Sequence, residues 1–180
     1  MMKRYRLQGL LLIAAVSLIL SCNNTEHEQG RSIEKLEAEL FDEEAIFSDE
    51  GNQKALELVR LYLSYAEQNP EDTLSPAYLF KAADITMNLG DPGKAIGIYN
   101  KIIYTYPDYP KLPECHFLVA YIYENFLQNY GKATELYQQF IEKYPDNEFA
   151  DDAEMSIKNM GKSPEELIKE FEARNEGTEL

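Results

Sequence analysis

Two stretches of this sequence repeat each other without a gap at an offset of 38 residues. Gly93-Lys94-Ala95 returns as Gly131-Lys132-Ala133, Ile98-Tyr99 as Leu136-Tyr137, and Tyr106-Pro107-Asp108 as Tyr144-Pro145-Asp146. Eight correspondences in the 16 positions from 93 to 108 exceed what chance readily supplies. A period in this range marks a solenoid, whose units bury their apolar faces only by stacking on neighbours. Asn69-Pro70 lies 37 residues before Tyr106-Pro107, so the stretch preceding it reads as the second helix of an earlier, incomplete unit.

The pattern has a packing rationale. Small residues at Ala83, Ala95, Ala120 and Ala133 allow the two helices of a hairpin to approach closely, and Tyr99 and Tyr137 fill the gap to the next hairpin. Pro107 and Pro145 end the second helix of each unit, because proline lacks an N–H and drives the preceding residue out of helical conformation. The spacing from Ala83 to Ala95 is 12 and that from Ala120 to Ala133 is 13, so the second hairpin carries one extra residue in its turn.

Partial units flank these hairpins. Between Asn52 and Gln68 the residues Ala55, Leu56, Val59, Leu63 and Ala66 recur at helical spacing, which predicts a helix ending before Asn69-Pro70. Phe149, Ala150 and Ala153 open a further unit, and Asn159-Met160-Gly161 aligns with Asn88-Leu89-Gly90. Its second helix is expected to start at Ser163 as N-cap, with Pro164 at the first helical position and Glu166 completing a capping box. Leu167, Ile168 and Phe171 form the stripe expected to close the solenoid.

Ala83, Gly90, Ala95, Tyr99 and Pro107, and in the next unit Ala120, Ala133, Tyr137 and Pro145, resemble the small, glycine, small, aromatic and proline positions of the tetratricopeptide repeat. The resemblance implies an all-α fold, a short tetratricopeptide-like α-solenoid of antiparallel helical hairpins over residues 51–174, with a tail at 175–180. In that family the partner-binding surface lies on the first helix of each hairpin, which here carries Phe80, Asp84 and Met87 in one unit and Phe117, Tyr121, Glu124 and Asn125 in the next. Members that clamp a peptide carboxylate use lysine, arginine and asparagine there. Asp84 and Glu124 have the wrong charge for that clamp. The aromatic positions also suit packing between hairpins.

The first 21 residues read as an export signal: Lys3, Arg4 and Arg6 precede an apolar run from Leu10 to Leu20 broken only by Ser17. That run is too short to span a bilayer. Ile19-Leu20-Ser21-Cys22 resembles the lipobox of bacterial lipoproteins, which implies cleavage before Cys22 and lipidation of its thiol. Asn23 stands where an aspartate would signal retention at the inner membrane, so the resemblance implies the outer membrane; its periplasmic face is the expected one, with the outer surface left open. Residues 22–50 are expected to form a tether plus a short helix, the segment 23–31 being a disordered spacer without large apolar residues. Ser32 is the expected N-cap of that helix, whose apolar positions are Ile33, Leu36 and Leu40.

With 17 basic and 32 acidic residues, the formal charge is −15. Losing Lys3, Arg4 and Arg6 would take it to about −18. Such a surface repels phosphate backbones, so no nucleic-acid partner is expected. The two histidines, His27 and His116, are too few and too dispersed for a catalytic triad, and Cys115 and His116 point about 100° apart on a helix. Asp146 to Asp152 lacks the glycine and ligand spacing of a calcium loop and reads as an acidic helix start. No disulfide is expected between Cys22 and Cys115, which belong to segments with different fates. No enzyme activity, cofactor or metal is therefore expected. Thirteen tyrosines and no tryptophan favour protein contact over sugar stacking.

Together these features resemble the small tetratricopeptide lipoproteins of the bacterial envelope, including the BamD-like subunit of outer-membrane assembly and the coordinator of the Tol-Pal system. The function this implies is a membrane-anchored scaffold for an envelope protein or peptide. Its alternative is a lipoprotein that captures a glycan or peptide.

Overall fold

A computed structural model describes residues 30–40 and 48–176, with side chains to 173. The expected export signal, Cys22 and most of the expected spacer lie outside these residues. Every regular element among the described residues is a helix: α1 (30–40), α2 (Asp49–Gln68), α3 (Leu74–Asn88), α4 (Pro92–Thr105), α5 (Leu112–Asn125), α6 (Tyr130–Lys143), α7 (Ala150–Asn159) and α8 (Pro164–Glu176). This is the short helical solenoid that the repeat requires. The chain divides into two compact units, and the division falls inside α3, between Ile85 and Thr86.

The links between hairpins are built alike three times. Asn69, Tyr106 and Tyr144 each donate their backbone N–H to the carbonyl four residues back, on Tyr65, Ile102 and Phe140, at 2.9, 2.9 and 2.8 Å. The proline that follows stops the helix, and two further turns succeed in the same register. Asp72 bonds to Asn69 and Ser75 to Asp72; Tyr109 to Tyr106 and Leu112 to Tyr109; Asn147 to Tyr144 and Ala150 to Asn147. In two of the links a side chain adds a cap, as Asp72 Oδ1 accepts from the Leu74 N–H at 2.8 Å and Asn147 Oδ1 from the Phe149 N–H at 3.0 Å. The shared pattern makes α2 the second helix of a preceding unit, as the spacing of Asn69-Pro70 indicates.

The turns within hairpins are also related. Asp91, Asn129 and Ser163 cap α4, α6 and α8, accepting from the N–H groups of Lys94, Lys132 and Glu166. Glu166 accepts in return from the Ser163 N–H at 2.8 Å, completing the expected capping box. Gly90 and Gly161 occupy left-handed conformations at φ of +85° and +74°. In the longer α5–α6 turn that role falls to Gln128 at φ 50°. The extra residue is absorbed there: Asp91 N–H reaches the Thr86 carbonyl, five residues back, whereas Asn129 N–H reaches Tyr123, six back.

In the unit 86–180, α5 packs on α4 and α6, and α6 on α7. Ala120, Ala133, Tyr137, Phe140 and Ala153 form one buried cluster, with the small residues placing the helices close and Tyr137 filling the space reached by α7. Ala95 and Tyr99 are likewise fully buried in this unit. In the unit 1–85, α2 buries Leu58, Val59, Tyr62, Tyr65 and Ala66, and the buried Ser75 hydroxyl donates to the Asn69 carbonyl at 2.5 Å.

Several expectations need correction. Ser32 lies within α1, which already includes residues 30 and 31, so it is not the cap, and those two residues of the expected spacer are helical. α2 begins at Asp49, where Ser48 accepts from the Gly51 N–H at 2.9 Å. Of its expected apolar face Ala55, Val59 and Ala66 are buried, but Leu56 is 48% exposed, and Leu58, Tyr62 and Tyr65 complete the buried face. Tyrosine serves as core there because ring burial outweighs its single hydroxyl. Finally, Ile168 and Phe171 are exposed on α8, so they do not close the array as a buried stripe; Leu167 alone of the three is partly buried.

The turn geometry predicts substitutions of opposite sign. Gly90→Ala should destabilise by about 1 kcal/mol or more, since an ideal Cβ there meets nothing within 4 Å and the cost is purely conformational. Gln128→Gly should be neutral to stabilising by up to about 1 kcal/mol. Urea unfolding midpoints of the two variants check both signs.

Candidate partner-binding surface

The first helix of the 114–147 hairpin, α5, starts with Pro113 in its first turn and carries Phe117, Tyr121, Glu124 and Asn125 at spacings of four, three and one. Positions 117, 121 and 124 therefore share one helical face. The structure assigns them different tasks. Phe117 is partly buried and stacks on Phe149 with ring centroids 5.0 Å apart, and it also meets Tyr137 and Phe140 at 5.4 and 5.6 Å. It ties α5 to α6 and to the start of α7. Glu124 accepts from the Tyr137 hydroxyl at 2.8 Å. Burial raises the Tyr137 phenol pKa; a hydrogen bond with Ser156 opposes that rise and the Glu124 carboxylate adds to it, so the hydroxyl stays protonated as a donor.

Tyr121 and Asn125 are exposed, the former at 37%. The Asn125 side-chain amide donates to the Tyr121 carbonyl at 3.1 Å, which steadies the last turn of α5. Tyr121 meets Phe126 edge-on at 6.2 Å. Phe126, Leu127 and Tyr130, in the turn and at the start of α6, are all exposed. The surface thus extends from Tyr121 into an apolar turn that helix-face reasoning misses. The signal for it in the sequence is the extra residue, which is inserted in a turn reading Phe126-Leu127 where the related turn has only Leu89 before its glycine.

In the other hairpin, Phe80, Asp84 and Met87 recur on α3 at spacings of four and three, each partly buried. Phe80 and Asp84 belong to the unit 1–85 and Met87 to the unit 86–180. Phe80 and Asp84 both engage other groups, so neither is an idle side chain.

A second polar group sits at the far end of α6. Lys143 Nζ lies 3.1 Å from His116 Nε2 and 5.1 Å from the Tyr144 ring centroid. Burial, reinforced by the Lys143 charge, lowers the His116 pKa to about 4, so the neutral imidazole accepts from the ammonium. The Tyr144 hydroxyl is buried with no hydrogen-bond partner. Among the described residues, no group of three or more histidine, cysteine, aspartate or glutamate side chains could hold a metal ion. No described helix is long and apolar enough to cross a membrane.

These features define a class: helical-hairpin repeats with capped turns, interlocking small and aromatic residues, and aromatic side chains displayed on a first helix. A family model described as the tetratricopeptide repeat matches residues 77–109 and 114–147, less than half of the chain. The two matches coincide with α3–α4 and α5–α6, so these two hairpins are similar to tetratricopeptide repeats, a similarity that suggests a scaffold for protein–protein interaction. No curated protein matches the chain.

Two tyrosines, one within α6 and one at its end, should respond differently to loss of the hydroxyl. Tyr137→Phe should cost about 1–2 kcal/mol by removing the donor to Glu124, whereas Tyr144→Phe should be neutral or stabilising because it removes an unsatisfied buried group. Thermal unfolding of the two variants under one set of conditions checks the contrast.

Proposed function

We propose that this protein is a non-catalytic scaffold held at the periplasmic face of a bacterial outer membrane by a lipid on Cys22, and that it binds a partner envelope protein or peptide. The observation that carries the binding half is the exposed aromatic surface running from Tyr121 into Phe126, on a tetratricopeptide repeat. Tyrosine and phenylalanine offer large contact area at low entropic cost, and their exposure in a contiguous turn is what a contact surface requires. The half-buried acid Glu124, on the same helix face as Tyr121, favours basic or hydrogen-bond-donating groups on the partner over a carboxylate terminus. The anchor rests on Ile19-Leu20-Ser21-Cys22 and on the positive and apolar regions before it. Acyl chains on one cysteine contribute about 0.8 kcal/mol per buried methylene, enough for stable attachment when several are present. A chain of net charge −15 is unsuited to holding itself on anionic headgroups, so the lipid would supply the location.

Two measurements test the two halves. A photo-crosslinking amino acid at position 121 should trap one discrete partner in intact cells, and the same probe at the exposed Glu142 on α6 should not; equal or absent trapping at both positions contradicts the contact face. Cys22→Ser should abolish labelling with a fatty-acid analogue and move the protein from the membrane to the soluble fraction. Continued labelling of the variant contradicts the anchor.

A further inference from the structure

The sequence predicts a short helix with apolar positions at Ile33, Leu36 and Leu40 but not what it packs against, and the structure supplies the seat. Ile33, Glu37 and Leu40 fall at spacings of four and three and share one face of α1. Ile33 is fully buried and Leu40 is 6% exposed. Between them the Glu37 carboxylate takes a hydrogen bond from the Tyr62 hydroxyl on α2 and another from Lys81 Nζ on α3, the latter at 2.7 Å. Burial pushes the Glu37 carboxyl pKa up, but the bonds from Lys81 and Tyr62 outweigh it and hold the group below the ordinary carboxylate value. A second charge match flanks this one, since Lys54 on α2 approaches Glu39 at 3.5 Å.

The receiving face is built independently of α1. Tyr62 stacks on Tyr78 with centroids 5.1 Å apart, Tyr65 meets Tyr78 edge-on at 4.9 Å, and the Tyr65 hydroxyl is fixed by Asp72 at 2.6 Å. Lys81 Nζ lies 5.8 Å from the centroids of both the Tyr62 and Tyr78 rings, held between the stacked rings and the carboxylate. Lys81 reaches Glu37 of α1 directly, and Lys54, which also pairs with Glu50 on its own helix at 3.2 Å, adds a second positive charge beside α1. The 11 described residues of α1 would be marginal as a helix by themselves, so their packing on α2 and α3 stabilises them.

We propose that the face of α2 and α3 carrying Tyr62, Tyr78, Lys54 and Lys81 is a binding site for an acidic amphipathic helix of a partner protein, and that α1 is the occupant which that helix replaces. The partner class is defined by what α1 presents: an apolar residue, a glutamate four positions on, and an apolar residue three beyond it. This is helix-in-groove recognition, with two apolar anchors and a carboxylate read by a phenol and an ammonium between them. Tethering gives α1 a high effective concentration, so the incoming helix must bind more strongly or arrive when α1 has lifted. The inference rests on the reading of the chain as a protein-binding scaffold, and not on its membrane anchor or on Tyr121.

The test uses the purified full chain and a fluorescein-labelled synthetic peptide of residues 30–40, followed by anisotropy. Ile33→Asp with Leu40→Asp in the chain should vacate the seat and raise peptide affinity at least about tenfold over the unaltered chain. Adding Lys81→Met to that chain, or using a Glu37→Gln peptide, should each remove about tenfold. A natively helical double variant that ignores the peptide, or that takes the Glu37→Gln peptide equally well, overturns the proposal. Should the double variant unfold, hydrogen exchange on the unaltered chain decides: α1 amides exchanging ahead of those from Leu58 to Tyr65 support a displaceable occupant, and exchange only together with them overturns it. Because neither assay involves a membrane or position 121, failure here is distinguishable from failure of the scaffold reading, which the crosslinking at Tyr121 tests separately.

Discussion

Each hairpin of this array ends with an apolar flank that only the adjoining helix can cover, and the other features follow from meeting that need. Tyr137 shows how it is met. It is fully buried among Ala120, Ala133, Phe140 and Ala153, so one large ring occupies the volume that three small residues leave open between α5, α6 and α7. The closeness that alanines permit would be wasted without the ring, and the ring has no room without the alanines. Its hydroxyl then needs an acceptor, and Glu124 supplies one from the first helix. Phe117 extends the same arrangement by stacking on Phe149, which fixes where α7 begins.

Registration of the helices depends on the links, where the fold uses one solution repeatedly. The three X-Pro turns share a ladder of backbone bonds at matching positions, and the three turns within hairpins share an Asp, Asn or Ser cap. Identical links restrict how successive helices meet, which leaves the exposed face of the first helices and their turns to vary. The α5–α6 turn uses that freedom. With one residue more than the α3–α4 turn, it displays Phe126 and Leu127 beside Tyr121 and tolerates Gln128 in a left-handed conformation.

Much of this is legible in the sequence, because it resides in local chemistry. The prolines at 70, 107 and 145, the capping box at Ser163 and Glu166, and the small residues at 83, 95, 120 and 133 all act within a few residues or at a fixed period. What is not legible is non-local. The seating of α1 depends on Tyr62 and Lys81, which lie 25 and 44 residues from Glu37; Tyr62 holds the repeat's aromatic position, 37 residues before Tyr99, but the period does not announce Glu37 as its partner. The buried face of α2 includes the expected Ala55, Val59 and Ala66, but Tyr62 and Tyr65 bury beside them while Leu56 does not. Among the surface residues, helical spacing places Phe117, Tyr121 and Glu124 on one face, but only packing shows that Phe117 is partly buried against the Tyr137 cluster, Glu124 accepts from a phenol and Tyr121 is exposed.

The dependence of each hairpin on its neighbour is most directly tested at Ala153, which lies on α7 and is fully buried in the Tyr137 cluster. Ala153→Leu overfills that site at a cost of about 1–3 kcal/mol. Residue-resolved hydrogen exchange should then show protection lost on α6, from Ala133 to Phe140, as well as on α7. Loss confined to α7, with α6 as protected as before, would contradict the account.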